Sequence, residues 1–247
     1  MSGWLDPLRL VLADADSPIT FFFRDDDAGW RDDRLHALLD VFAAAGAPID
    51  LAVIPVAVSP ELARALAARR RTARIGVHQH GFLHANHEPT GRKCEFGPSR
   101  SAGEQLADIG AGRRALLERL DLELDPIFTP PWNRCTQGTL TAVRAVGLQV
   151  LSRDADAEPL ALDGLEELPV SVDWLRRRRG VRITARELGE LLAGASVGGT
   201  RVGVMLHHAV MGSGDRDGVE QLLALLADAP AARLVGMNEL AGGKTAA

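Results

Sequence analysis

The chain has 247 residues, 46% hydrophobic and 25% charged, with a net charge of −5. That length suits one large domain or two small ones and can bury a sizeable core. The mild acidity gives no basic field for nucleic acid or an acidic membrane surface. Cys94 and Cys135 are the only cysteines, too few for a disulfide framework. The opening "MSGWLDPLRLVLADADSPI" lacks a basic segment followed by an apolar run and a small-residue cleavage site. No stretch approaches the roughly 20 apolar residues that span a bilayer. The expectation is a cytoplasmic protein with no membrane insertion and no nucleic-acid partner.

Strand and helix patterns alternate along the chain. "ITFFFR" (Ile19 to Arg24) predicts a strand, and "DDRLHALLDVFAAAG" a helix with Leu35, Leu38, Leu39 and Phe42 on its apolar face. Gly46 and Pro48 stop that helix. "IDLAVIP" predicts a second strand. "SPELARALAARR" predicts a helix with Ser59 as N-cap and Pro60 in the first turn. "ARIGVHQH" predicts a third strand. A long polar stretch, 81–100, then has the composition of a functional loop. "SAGEQLADIGAGRRALLERL" opens with a capping box, Ser101 and Glu104. "PIFTP" predicts a strand, "TQGTLTAVRAVG" a helix and "LQVLS" a strand. "LEELPVSVD" reads as another strand carrying the awkward Pro169. "TARELGELLAG" has a second capping box, Thr184 and Glu187. "TRVGVMLHH" predicts a strand, "DGVEQLLALLADA" a helix and "ARLVGM" the last strand.

Seven or eight strands separated by helices predict an α/β fold with a mainly parallel sheet. No linker or fixed-period repeat divides the chain, so a distorted (β/α) barrel over residues 1–247 is expected. An open doubly wound sheet is the competing architecture. "GGKT" near the C-terminus resembles the end of a phosphate loop, but the leading glycine and the following helix are absent.

Active sites of parallel α/β folds gather where strands end. Four predicted strands end in Asp25-Asp26-Asp27, in "HQHGFLHANH", in "PPWN" and in His207-His208. Six of the seven histidines lie at two of these ends; His36 is elsewhere. His80 and His84 have a spacing that lets two imidazoles share a metal ion, and no HExxH is present. Two histidines and a carboxylate leave coordination positions open for water and substrate. Adjacent aspartates suit two jobs, one as ligand and one as proton acceptor. The bland reading of "DDD" is an acidic turn before a helix, a job that Asp32 and Asp33 are better placed to do.

In order, "RDDDAG", "HGFLH", "FTPPWN" and "VMLHH" resemble the motif set of the polysaccharide deacetylases, the NodB-homology carbohydrate esterases. The resemblance spans residue 19 to about residue 240 and lies nearest the divergent intracellular members. It implies a NodB-type barrel that hydrolyses the N-acetyl group of a carbohydrate. It also implies a divalent metal, most often Zn2+, held by Asp27, His80 and His84. Asp26 would be the base and His207, or alternatively His208, the acid; the Trp132 ring would wall the acetyl pocket, with Pro131 and Asn133 also binding substrate. A backbone N–H near Trp132 would help hold the oxyanion. Three departures stand out. The third aspartate leaves Asp25-Asp26 as an alternative register. Thr129 stands where the family has an arginine that steadies the base, a place Arg24 or Arg134 could fill. The His pair leaves the acid open, with Asp154 a candidate to orient it.

The remaining features carry less. His78 and His87 flank the proposed ligands as second-layer, substrate-facing or structural groups. Glu95 and Phe96, in the long loop, could face substrate. The arginine run 176–179 reads as a solvated turn, or as a phosphate contact. Cys135 has no activating base and reads as packing. Two other functions stay open: a cytosolic amidohydrolase on a small non-polysaccharide amide, and a non-catalytic sugar-binding barrel.

Overall fold

The computed structural model describes residues 3–197 and 200–241; the "GGKT" segment lies outside them. Helix α1 (Asp6–Ala13), which no sequence signal above marked, begins with a proline in its first turn and buries Leu8 and Leu12. Strand β1 (Ile19–Ala28), helix α2 (Asp32–Ala45), β2 (Ile49–Val53), α3 (Pro60–Arg70) and β3 (Ile75–His80) follow. After the long loop come α4 (Ala102–Arg119), β4 (Ile127–Thr129), α5 (Gln137–Ala145) and β5 (Val150–Leu151). Two short strands, β6 (Glu166–Glu167) and β7 (Val172–Asp173), precede the hairpin of β8 (Arg177–Arg178) and β9 (Val181–Arg182). The chain ends with α6 (Ala185–Ser196), β10 (Arg201–Leu206), α7 (Ser213–Asp228), β11 (Ala232–Leu234) and α8 (Met237–Ala241). Among the described residues, no helix is long and apolar enough to cross a membrane.

The main sheet is parallel, in the order β6-β5-β4-β3-β2-β1-β10-β7. Its two end strands are the halves of one segment. The N–H groups of Leu168 and Val170 bond to Leu151 and Arg153, and those of Ser171 and Trp174 to Gly203 and Met205. This single segment therefore touches both sheet edges and curls the sheet into a distorted (β/α) barrel, as the sequence predicts. The strand expected over "LEELPVSVD" is split at Pro169, which has no N–H to give to a ladder. The lower half of β1 pairs with β11 and its upper half with β2.

Side chains alternate along β1. Phe21 and Phe23 join the large core between sheet and helices, where Phe23 meets the Phe42 ring edge-on at 5.2 Å. Phe22 points into the barrel with Ile127, Val150, Leu168, Val170 and Met205. All three phenylalanines are buried, each contributing about 1.5–3 kcal/mol. By the same alternation, Arg24 and Asp26 share the inner side with Phe22, and Asp25 takes the outer. The strand runs four residues beyond the expected Arg24. Its register with β2 shifts between Asp25 and Ala28, and Asp27 sits at φ 70°. This bulge re-aims the third aspartate.

The arginine run 176–179 forms a hairpin rather than a simple turn. Arg179 and Gly180 both have positive φ, as two-residue hairpins require, and Arg177 and Arg178 are exposed. The last strand stops at Leu234, and α8 closes the lower end of the barrel through Met237.

That closure uses a buried acid. Asp50 is fully buried and accepts the Met237 N–H through Oδ2 at 2.9 Å, while Oδ1 has no partner among the described residues. Burial, with Asp125 and Glu239 adding and Arg70 opposing, pushes its carboxyl up to about 8. The folded state thus favours the protonated acid, and this contribution to stability is lost as pH rises from the ordinary carboxylate range through about 8. Asp50→Asn keeps an acceptor and cannot ionise. Its melting temperature relative to wild type is expected to rise between pH 5 and 8 and then level off. Parallel melting curves from pH 5 to 9 would contradict this.

Candidate active site

The C-terminal rim of the barrel collects the polar strand ends. Asp27 Oδ1 lies 3.2 Å from His80 Nε2 and 3.0 Å from His84 Nε2. The three ligand atoms lie within 4.8 Å of one another. Burial works against ionisation of Asp27, but the two imidazoles outweigh it and hold the carboxyl well below its usual range. Asp27 Oδ1 is nevertheless a buried oxygen with no hydrogen bond. His80 Nδ1 donates to the Thr129 carbonyl at 3.0 Å, so Nε2 is the nitrogen left available to a cation. An orphaned carboxylate oxygen facing two imidazole nitrogens fits a tetrahedral cation with open positions.

Asp26 is separate from that group. Arg24 grips it with a fork, Nε to Oδ1 at 2.8 Å and Nη2 to Oδ2 at 2.9 Å. The guanidinium is fully buried and also donates to Ser152 Oγ and Asn133 Oδ1, each at 2.7 Å. Burial opposes the charge on Asp26, but Arg24, His80 and His207 overcome it and keep the carboxyl below its ordinary value. Of the two arginines that could steady Asp26, Arg24 reaches it. Arg134 turns away to the Lys93 carbonyl at 2.7 Å. Thr129 holds histidines instead, His80 through its carbonyl and His78 through its hydroxyl at 2.9 Å. Burial and the neighbouring Arg24 push His78 down to about 3, so it stays neutral.

The histidine pair divides. His207 remains partly exposed, its Nε2 4.0 Å from Asp26 Oδ2. His208 was expected as an alternative acid, and the geometry corrects this. Its Nδ1 meets Asp25 Oδ2 at 2.6 Å, its Nε2 meets the Trp30 carbonyl at 2.6 Å, and its N–H donates to Asp25 Oδ1 at 2.9 Å. Both ring nitrogens are engaged and the side chain is buried. Burial lowers its pKa, but Asp25 outweighs burial and raises it to about 9. Asp25, on the outer side of β1, is thereby tied to His208 across the strand ends. Asp154 makes no ion pair with His207 among the described residues. Burial and the nearby Asp156 and Asp173 push it up to about 6.

Trp132 stands against His84 with ring centroids 4.5 Å apart. Trp132 and Asn133 both have positive φ, at 55° and 57°, a conformation costing roughly 1–2 kcal/mol per non-glycine residue. The Asn133 bond to Arg24 helps hold this turn. Asn133, expected at the substrate, is largely buried; its amide serves Arg24 and Met205 Sδ, and it also lines the cavity beside Trp132. Pro131 is buried too and packs on Gly81, where an added Cβ would come within 2.6 Å of its ring. Glu95 is a second correction. It is fully buried, with its carboxylate taking the N–H groups of Phe82 and Leu83 rather than facing a ligand.

The sequence reading missed Trp30, whose ring meets that of His84 at 4.8 Å between centroids. Its place two residues after "DDDA", on the same rim, was the available signal. It also missed Ser152. Cys135 is pushed up to about 12, chiefly by burial, which suits packing and not nucleophilic attack. Beside Trp132, a cavity of about 370 Å³ is lined by Arg92, Asn133, Arg134, Asp154 and Glu158, among others.

No protein-family model matches the chain, and no curated protein does. Solved structures do. A Mycobacterium smegmatis protein provisionally assigned as a polysaccharide deacetylase superposes with a TM-score of 0.69 at 20% identity, over 92% of this chain and 90% of that one. A family 4 acetyl xylan esterase from Clostridium thermocellum, solved with cobalt, gives 0.61 at 14%, over 90% and 89%. A family 4 pseudoenzyme from Bacillus anthracis gives 0.61 at 12%, over 92% and 66%. A backbone shared by enzymes and a pseudoenzyme leaves activity to be argued from the site. The chain has the NodB-homology fold of the polysaccharide deacetylases and family 4 carbohydrate esterases.

Proposed function

We propose that the protein is a metal-dependent hydrolase that removes the N-acetyl group from a carbohydrate. The observation that carries this is the division of labour on one rim: Asp27, His80 and His84 converge, while Asp26, gripped by Arg24, stands free of them beside His207. A divalent cation, most simply zinc, would be held by Asp27, His80 and His84 and would polarise the amide carbonyl. Asp26, ionised by its arginine, takes the proton of the attacking water. His207, open to solvent, gives a proton to the leaving nitrogen as the C–N bond breaks, so acetate and a sugar amine result. The Trp132 and Trp30 rings both pack against His84 and limit competing water. The sugar body would lie in the cavity beside Trp132, whose carboxylates and guanidinium groups suit hydroxyl recognition.

The two late histidines give a direct test. His207→Ala is expected to lower kcat about 10²–10⁴-fold while retaining bound metal. His208→Ala strips Asp25 of its buried partner and is expected to cost ~3–5 kcal/mol of stability, read as a fall in melting temperature. A His207→Ala enzyme with unchanged turnover would remove His207 from the mechanism.

A further inference from the structure

His80 is held by a strand and by the Thr129 carbonyl. His84 has neither support. It follows a turn that starts with Gly81 at φ 55° and is itself at φ 55°. Only three residues separate the two imidazoles, and that path has no regular structure.

The support comes from the long loop. Leu83 N–H donates to Glu95 Oε1 at 2.7 Å and Phe82 N–H to Oε2 at 3.3 Å. An added Cβ on Gly81 would lie 2.2 Å from Glu95 Oε2 and 2.6 Å from Pro131. Glycine, carboxylate and proline therefore interlock beneath the turn, and only glycine fits at position 81. Glu95 is itself anchored. Phe96 bridges to Cys135, the His87 N–H donates to the Cys94 carbonyl at 3.0 Å, and the Cys94 N–H to Asn86 Oδ1 at 2.9 Å. Among the described residues, no cation lies within ion-pair distance of Glu95. A fully buried carboxylate of this kind is retained at a desolvation cost, and its two hydrogen bonds both go to the turn that carries His84.

We propose that Glu95 is a positioning residue for the metal centre: its carboxylate fixes the Phe82–Leu83 backbone so that His84 meets Asp27 opposite His80. This rests on Asp27, His80 and His84 being metal ligands. Among the described residues Glu95 makes no hydrogen bond to Asp27, His80 or His84; its two hydrogen bonds go to the backbone of the turn that carries His84. Partners of this sort, one step removed from a metal, typically govern affinity by about 10–100-fold.

The test is a Zn2+ titration of metal-free protein against a chelating indicator at 25 °C, with melting curves of the same metal-free samples. Glu95→Ala is expected to weaken the Kd about 10–100-fold. Glu95→Gln keeps an acceptor for Leu83 N–H and is expected to recover most of that loss. In a His84→Ala background, Glu95→Ala is expected to change the Kd no further, because the two share one route. A purely structural role would lower melting temperatures while leaving the Kd alone, and that result overturns the proposal. If Glu95→Ala does not fold, Glu95→Asp replaces it: the shortened carboxylate cannot reach both N–H groups, and an unchanged Kd overturns the proposal equally. A wild-type protein that takes up no Zn2+ overturns the metal-centre reading, and this proposal with it.

Discussion

Replacing Arg24 by Met is expected to lower the melting temperature and abolish most turnover together. Arg24 is fully buried, and its donors are distributed over Asp26, Ser152 and Asn133. Methionine fills much of the volume but leaves the Asp26 carboxylate buried without its cation. Breaking such a pair costs ~3–5 kcal/mol, or roughly 2–4 °C per kcal/mol in a domain of this size. Arg24→Lys is the informative companion. It keeps the charge but loses the planar fork, so stability should fall less than activity. Asp26→Asn added to Arg24→Met should restore part of the lost stability, since the pair is then removed from both sides. A wild-type melting temperature in Arg24→Met would show that the fork contributes nothing.

The second large effect separates the aspartates. Asp27→Asn is expected to lose bound metal and activity together. Asp26→Asn is expected to keep the metal and lose turnover by about 10²–10⁴-fold, the usual worth of a general base. Asp25→Asn should act on stability, because Asp25 holds the His208 ring and backbone N–H. Metal content and kcat measured on all three variants resolve the register of the triple aspartate. Loss of metal in Asp26→Asn with retention in Asp27→Asn would reverse the proposed roles.

Much of this arrangement was legible in the chain. Alternation along "FFFRDDD" places Arg24 and Asp26 on one side, which made Arg24 one of two candidates; the fork itself and the exclusion of Arg134 come from the structure. The bulge that turns Asp27 toward the histidines was not legible, because it arises from a register shift against β2. Nor was the tie between Asp25 and His208, which are 183 residues apart. Glu95 was read as substrate-facing from its place in a polar loop; its burial depends on N–H groups of another turn. The strand halves β6 and β7 have two residues each, too few for periodicity to register, yet they bring the sheet edges together. Helix α1 was missed for a related reason, since eight residues with two buried leucines give a weak pattern.

One rim-bound cation and the Asp26–His207 pair are proposed to hydrolyse an N-acetyl sugar together. The most direct measurement is elemental analysis and acetate release on one preparation, before chelation, after chelation and after Zn2+ is restored. The expected result is about one divalent metal per chain, matching the one candidate cluster among the described residues, with acetate release lost on stripping and regained on reconstitution. Full acetate release from metal-free protein would contradict it.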